Sequence, residues 1–379
     1  MNYIGEHLFP GQLGHFLIIL SLVASLVATI AYFKSTNAKT LALTESWRKI
    51  ARVAFLIDAV SVISVIATIV AIISNHYYEY HYAWNHSDRS LAAKYLLSST
   101  WEGQEGSFLL WMVWHAVLGV IVMFTSRKWE APVMTVISFA QLCLATMILG
   151  VYVLDVKVGS NPFLLTRHVF QDNEVFKNAN YLSLPAMQDG MGLNQLLQNY
   201  WMTIHPPITF LGFASTIVPF SFAIAGLWTR DYGGWAKKAL PWTIFSVAIL
   251  GTGIMMGAMW AYESLSFGGF WAWDPVENAS LVPWLILVAG LHTQVIYNST
   301  GHSLRATYVF LILGFLLILY STYLTRSGDL QDTSVHAFVA TDMVWQLRLW
   351  LVLNTVLAFA LLFKRFKKIP HVAKEESTY

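Results

Sequence analysis

Nine long apolar runs divide this 379-residue chain, and they constrain its fold more than any other feature. Each run is long enough, or nearly so, to cross about 30 Å of hydrocarbon as a helix. The runs are continuously apolar and do not alternate, which favours helices over barrel strands. With 56% hydrophobic and 12% charged residues, the chain is predicted to be an all-α, polytopic integral membrane protein. The predicted transmembrane spans are 12–33, 50–74, 107–124, 132–154, 206–228, 240–260, 276–297, 305–324 and 343–363.

The basic residues predict the orientation of these spans. With the amino terminus outside, most of the 23 Lys and Arg residues lie in inner loops or in the carboxy-terminal tail. Because short cytoplasmic loops carry an excess of Lys and Arg, this orientation is favoured. We expect a single transmembrane helical domain, 1–379, with a cytoplasmic tail at 364–379. The predicted extracytoplasmic loops are 75–106, 155–205, 261–275 and 325–342.

Charge and cysteine content exclude several functions. A net charge of +2 is too small to indicate nucleic-acid binding. Cys143 is the only cysteine and lies in an apolar run, so the chain has no disulfide framework, CxxC pair or CxxCH motif. Any thiol chemistry must therefore come from a partner.

An aromatic stretch lies in the predicted outer loop 261–275. Phe267, Phe270, Trp271 and Trp273 surround the pair Gly268-Gly269. Such a glycine-hinged segment suits a flat shelf for a planar apolar ligand. The alternative is an interfacial anchor, because tryptophan-rich loops are common at membrane surfaces.

A helix start follows the aromatic stretch directly. Asp274 is a good N-cap, Pro275 suits the first helical position, and Glu277 stands at the third. This order predicts a capping box combined with a proline start. We therefore expect a new helix to begin at Pro275.

Two histidines are predicted near this segment, on the same side of the membrane. His205 precedes two prolines that predict a helix start at the outer end of the fifth span, and His336 lies in the loop after the eighth. Two imidazoles can supply both axial bonds to a haem iron, and a basic residue such as Arg326 can pair with a propionate. A single surface histidine is more often solvated or caps a helix, so the prediction depends on the pair.

His292 lies within a span, roughly 27 Å along the helix from Asp274. A polar group inside the membrane is by default a functional candidate, because an unpaired nitrogen in hydrocarbon is costly. The alternative is a structural hydrogen bond, either with Gln294 nearby in the sequence or with a neighbouring span. For His115, also within a span, we expect a structural role. Asp58, in the second span, is expected to be paired or to lie near an interface.

The segment 267–280 resembles the tryptophan-rich WWD signature of the haem-handling proteins of cytochrome c maturation, and it is most similar to the CcmF-type haem lyases. Further blocks resemble that family in the same order along the chain. These blocks are 101–111, 193–200 leading into His205, and 325–328 followed by 334–338.

The resemblance implies a haem lyase. Trp271, Trp273 and Asp274 match the signature that receives haem from a haem chaperone, and His205 and His336 match the two flanking outer histidines. The family brings this haem to the reduced CxxCH thiols of apocytochrome c, where two thioether bonds form.

The resemblance implies a second haem, partners and a location. His292 matches a transmembrane histidine that holds a b-type haem, which passes electrons to the haem being attached. The family works in the cell inner membrane, with its active site on the extracytoplasmic face and with a subunit that reduces thiols or binds apocytochrome. Its members usually continue beyond the position of Tyr379 through spans that supply the second ligand of the b-type haem. We therefore expect a carboxy-terminal half or a second chain to provide the missing helices.

Two other functions remain open from the sequence. The chain can be a haem exporter or relay that shares the signature but attaches no haem. It can also be an electron-transfer subunit that uses a b haem at His292 and a quinol.

Overall fold

Nine helical segments in the described part of the chain are long and apolar enough to cross a membrane, which confirms an all-α polytopic protein. The computed structural model describes residues 3–264, 269–330, 333–334 and 343–372. Phe267, Gly268 and His336 lie outside these ranges. The helices are α1 (Leu8–Thr36), α2 (Leu41–Ser74), α3 (His81–His86), α4 (Ala93–Glu102), α5 (Gln104–Thr125), α6 (Glu130–Met147), α7 (Thr166–Val169), α8 (Tyr200–Ser215), α9 (Ile217–Thr229), α10 (Ala236–Glu263), α11 (Pro275–Thr300), α12 (Leu304–Arg326) and α13 (Val344–Phe366).

The spans pack as two connected groups. In the first, α1 lies against α2 and α6, and α5 lies against α2 and α6. In the second, α10 packs on α8 and α11, and α11 packs on α12. Helices α8 and α9 together form one span, Tyr200–Thr229. Asp58 is buried in the first group, where the Ser21 hydroxyl donates to its carboxylate at 2.6 Å, so it is paired as expected.

The predicted span 132–154 is too long at its carboxy-terminal end. Helix α6 ends at Met147, and a hairpin follows in which β1 (Val151–Val153) pairs antiparallel with β2 (Val156–Val158). Its two turn residues, Leu154 and Asp155, have φ angles of 49° and 64°, as a tight hairpin turn requires. Hydrophobicity alone does not separate a short valine-rich strand from the end of an apolar helix.

The helix start predicted at the prolines after His205 is also wrong. Helix α8 begins at Tyr200, where the Asn199 side chain caps it by accepting from the Trp201 amide at 3.0 Å. Pro206 therefore lies inside the helix, and His205 lies on a formed helical turn. Asparagine is among the strongest N-caps, and prolines are tolerated in membrane helices when other groups bond to the freed carbonyls.

The connecting segments before α5 and α8 form a polar layer at one end of the bundle. The Glu79 carboxylate accepts from the His7 amide at 2.8 Å, and the Glu79 carbonyl accepts from the Thr166 amide at 2.7 Å. Arg167 and Glu6 form an ion pair at 2.7 Å. This layer lies at the end of the bundle where α1 begins. The same end is where α5, α8 and α11 begin and α10 and α12 end, and it is called the site end below.

Candidate functional site

His205 lies at the site end, in contact with α10. Its imidazole meets the Trp260 indole edge to face, with ring centroids 5.8 Å apart and planes at 74°. The Thr209 hydroxyl lies 3.2 Å from His205 Nδ1. The imidazole is therefore held on two sides, by a ring from α10 and by a hydroxyl one turn along α8.

Glu263, the last residue of α10, joins α10 to the start of α8. Its carboxylate accepts from the Trp201 indole at 2.9 Å and from the Tyr200 hydroxyl at 3.4 Å. The neighbouring Tyr262 ring stacks on Phe270, with centroids 4.1 Å apart and planes at 5°. The aromatic stretch is thus linked through the end of α10 to the helix that carries His205.

Trp271 and Trp273 do not form one flat surface. Their indole centroids are 6.1 Å apart, and their planes are almost perpendicular at 88°. Trp273 is 72% exposed and has a left-handed φ of 58°, a conformation that costs a non-glycine residue about 1 kcal/mol. The Trp271 indole N–H is buried and has no hydrogen-bond partner within the described ranges. A buried donor without an acceptor fits a site that receives an acceptor from a ligand.

The predicted capping box at the start of α11 is confirmed. Asp274 Oδ1 accepts from the Val276 amide at 2.7 Å, Pro275 is the first helical residue, and Glu277 Oε2 accepts from the Asp274 amide at 3.1 Å. Glu277 also accepts from the Ala272 amide at 3.0 Å. These bonds fix the backbone of Trp273, which lies between two of the bonded amides.

Asp274 has a second partner from the loop after α12. The Ser334 hydroxyl donates to Asp274 Oδ1 at 2.7 Å, so this loop is tied to the start of α11 two residues before His336. The predicted ligand role of His336 concerns a residue outside the described ranges and stays a prediction.

Arg326 lies inside the bundle. The side chain is 6% exposed, donates to the Ser107 hydroxyl at 2.6 Å, and lies over the Phe108 ring with its guanidinium carbon 4.9 Å from the centroid. It therefore links the end of α12 to the start of α5, and its predicted pairing with a propionate stays a prediction.

His292 lies on the outer surface of α11, away from the site end. The His292 ring is exposed, and its Nδ1 is 2.8 Å from the carbonyl oxygen of Val288, one turn earlier. A hydrogen bond from Nδ1 to that carbonyl directs the opposite nitrogen away from the helix. Gln294, the suggested partner, instead donates to the Ala236 carbonyl at 2.8 Å.

A partly buried acid and base, on α4 and α3, lie in the connecting segment before α5. His86 Nε2 is 3.4 Å from Glu102 Oε2, and the Tyr82 ring stacks on the imidazole. Burial raises the pKa of Glu102 to about 7 and lowers the pKa of His86 to about 3. Both shifts disfavour charge, so at neutral pH His86 is uncharged and this contact is weaker than an ion pair.

Several contacts of this constellation were not predicted from the sequence. Trp260, Glu263, Thr209 and Ser334 each touch a predicted site residue or its helix. Of these four contacts, the sequence could have indicated only that of Thr209 with His205, because residues four positions apart lie on the same face of a helix. The described constellation offers an imidazole, exposed aromatic faces and an unpaired N–H donor, which suits a large planar ligand with a metal and acidic groups.

Comparison with known proteins places this chain within one family. Residues 101–330 match the family described as Cytochrome C assembly protein. The cytochrome c-type biogenesis protein CcmF of Pseudomonas fluorescens is 36% identical over 264 residues, which cover 68% of this chain and 36% of that protein. The cytochrome c-type biogenesis protein CycK of Rhizobium meliloti is 32% identical over 332 residues, covering 87% of this chain and 45% of that protein.

A solved structure has a similar fold. The protein named Cytochrome c Heme Lyase CcmF superposes with a TM-score of 0.73 at 24% sequence identity, over 94% of this chain and 51% of that chain. The present chain spans less than half the length of the two curated relatives above and about half of the solved chain.

Proposed function

This chain belongs to the cytochrome c assembly protein family, as a CcmF-type cytochrome c maturation protein, and we propose that it is a haem lyase subunit. In this proposal it accepts haem from a haem chaperone at the site end and presents it to the CxxCH thiols of apocytochrome c. The observation that carries the proposal is the Ser334 to Asp274 hydrogen bond, because it brings the chain that leads to His336 to the tryptophan segment.

The residues of the site end have distinct proposed roles. His205 and His336 are the axial ligands of the substrate haem. Because the Trp271 and Trp273 planes are perpendicular, the exposed Trp273 lies against the macrocycle and Trp271 contacts its edge. Asp274 fixes the turn that presents the two indoles. The Trp271 N–H, which has no partner among the residues that the structure describes, supports this assignment, since a haem propionate is an acceptor of the right kind. Arg326, already bonded to Ser107, is the proposed cation for the other propionate.

The attachment chemistry needs little from the protein beyond position. Each cysteine thiol adds across one haem vinyl group, so that a sulfur–carbon bond forms at one carbon and the thiol hydrogen ends on the other. No net oxidation occurs, but the thiols must be reduced. The protein contributes by holding the vinyl edge against the thiols and by keeping competing groups away.

His292 fits the role of a ligand to a resident b-type haem. A metal-bound histidine usually donates its second ring N–H to a carbonyl or carboxylate, and His292 has the Val288 carbonyl in that position. A b-type haem, when bound, would supply electrons.

Helices α10 and α11 are less covered by the rest of the chain than α12 is. In the most apolar 18-residue stretch of each helix, 22% of the residues of α10 and of α11 are buried, against 61% in α12. This exposed face supports a proposal that a carboxy-terminal half or second chain packs there and brings the other ligand.

We propose that the site end is extracytoplasmic and that the protein resides in the cell inner membrane. Lys237 and Lys238 lie at the opposite end, at the start of α10, which agrees with a cytoplasmic position under the positive-inside rule. The proposed partners are a haem chaperone, apocytochrome c and a subunit that reduces its thiols or binds it.

An attachment assay tests the proposed function. The chain would be expressed with the proposed carboxy-terminal half or second chain, called the completing half below, and with a c-type apocytochrome. The host would lack its own maturation proteins of this family. Covalent haem on the cytochrome would be measured by haem staining after denaturing electrophoresis. We expect attachment that is lost in Trp273→Ala and kept in Trp345→Ala, a partly exposed tryptophan that bonds to the hairpin carbonyl of Lys157. Haem binding without any attachment would instead indicate a relay.

A further inference from the structure

Helices α8 and α10 approach each other closely at His205. A Cβ atom added at Gly257 would lie 3.0 Å from His205 Cε1, and one added at Gly253 would lie 2.8 Å from Thr209 Oγ1. Gly253 and Gly257 are one helical turn apart, as are His205 and Thr209. The two glycines thus leave a slot on α10 that the imidazole and the hydroxyl of α8 fill together.

In this slot, Nδ1 of His205 faces a protein hydroxyl. Thr209 Oγ1 lies 3.2 Å from Nδ1, and the Trp260 indole lies against the ring at 74°. A neutral imidazole has one donor and one acceptor nitrogen. When Nδ1 carries the proton and donates to the hydroxyl, the lone pair is on Nε2, which is then the nitrogen for a metal.

We propose that Thr209 is a positioning residue for His205, an inference that rests on the proposed role of His205 as a haem ligand. The Thr209 hydroxyl holds the Nδ1–H tautomer and the ring orientation, so that Nε2 is presented to the iron of the substrate haem. A partner of this kind also raises the basicity of the ligand and commonly changes metal affinity by 10-fold or more.

Haem titration of the purified chain with its completing half tests this role. All variants would carry His292→Ala, which removes the proposed ligand of the b-type haem, so that the titration reports haem binding at the outer site. Thr209→Val keeps the shape of the side chain and removes the hydroxyl, and Thr209→Ser restores the hydroxyl. Thr203→Val is the matched control, because the Thr203 hydroxyl on the same helix is buried without a partner within the described ranges.

We expect Thr209→Val to weaken haem binding by about 10-fold and to change the low-spin electron paramagnetic resonance signal, with both effects reversed in Thr209→Ser and absent in Thr203→Val. Equal affinity and an unchanged signal in Thr209→Val would overturn the inference. In that case a loss of binding in His205→Ala would leave the proposed function standing. If His205→Ala binds haem as the parent does, the ligand assignment itself fails.

A second measurement needs no change at Thr209. Nitrogen-15 magnetic resonance of histidine-labelled, haem-free protein, taken as a difference between the parent chain and His205→Ala, reports the tautomer of His205. The inference requires the proton on Nδ1. A proton on Nε2 would contradict it.

Discussion

The Trp101 indole N–H donates to the carbonyl oxygen of Met202 at 3.0 Å, and this is the oxygen that Pro206 leaves without its helical partner. Trp101 is 9% exposed, at the end of α4. One hydrogen bond therefore compensates for a proline within α8 and holds α4 beside the turn that carries His205. This contact explains how a proline can follow a proposed ligand inside a helix.

Replacement of Trp101 by Phe should destabilise the protein. The substitution keeps most of the ring volume but leaves the Met202 carbonyl buried and unpaired, at an expected cost of about 1–3 kcal/mol. The measurement is the thermal unfolding midpoint in detergent. Trp345→Phe is the control, because the Trp345 bond to the Lys157 carbonyl is longer, at 3.3 Å, and exposed. Equal small shifts of the unfolding midpoint in Trp101→Phe and Trp345→Phe would contradict the proposed stabilising role of the Trp101 hydrogen bond.

Replacement of Asp274 by Ala should loosen the first turn of α11. The change removes both the bond to the Val276 amide and the bond from Ser334. We expect amide hydrogen exchange in residues 276–279 to be faster by a factor that corresponds to about 1 kcal/mol. Asp274→Asn keeps an acceptor oxygen and should exchange nearly as the parent does. Ser334→Ala should affect the loop after α12 and leave this turn protected, and fast exchange of the turn in that variant would contradict the capping account.

Replacement of Glu102 by Gln should stabilise the protein at high pH. Burial raises the pKa of Glu102 from 4.5 to about 7, so the folded state favours the protonated carboxyl. The resulting contribution to stability is fully present below pH 4.5 and is lost as pH rises through 7. The difference in unfolding midpoint between Glu102→Gln and the parent should grow over this range and level off above it. The full effect is on the order of 3 kcal/mol.

Glu174→Gln is the matched control for this pH dependence, because the Glu174 side chain is 83% exposed. Its midpoint should follow the parent at every pH. A pH-independent difference in Glu102→Gln would show that Glu102 does not change its protonation in this range.

Replacement of His292 by Ala should remove a b-type absorption spectrum from the chain purified with its completing half. The reason is the placement of His292 on an exposed face, with Nδ1 beside the Val288 carbonyl. His302→Ala is the control, since His302 lies just beyond α11 in the connection to α12. A b-type spectrum that survives in His292→Ala, in folded protein, would exclude this residue as the ligand.

The membrane architecture and the start of α11 were predictable because their signals are local. Long apolar runs are sufficient to indicate spanning helices, and Asp274, Pro275 and Glu277 together specify a helix start within four residues. The hairpin after Met147 was missed because its valines extend an apolar helix without a break in hydrophobicity. The start of α8 differs from the prediction because the Asn199 cap, and not the proline pair, marks where this helix begins.

The contacts of the candidate site were less predictable because they are long-range. The bond from Ser334 to Asp274 joins residues 60 positions apart, and the bond from Trp101 to Met202 joins residues 101 apart. In neither pair does the periodicity or the spacing of the sequence indicate which residue the other will contact. The left-handed backbone at Trp273 is also not predictable from the residue type, which does not favour it.

The most direct test of the central claim is the haem content of the outer site in His205→Ala. The chain would be purified with its completing half in a His292→Ala background, reconstituted with haem, and measured as the pyridine haemochrome. His76→Ala is the control, a histidine in a connecting segment whose ring lies 5.8 Å from the Tyr78 ring. We predict that His205→Ala loses the bound haem and that His76→Ala retains it. Equal haem in the two variants would contradict the assignment of His205 as the ligand that holds haem at the site end.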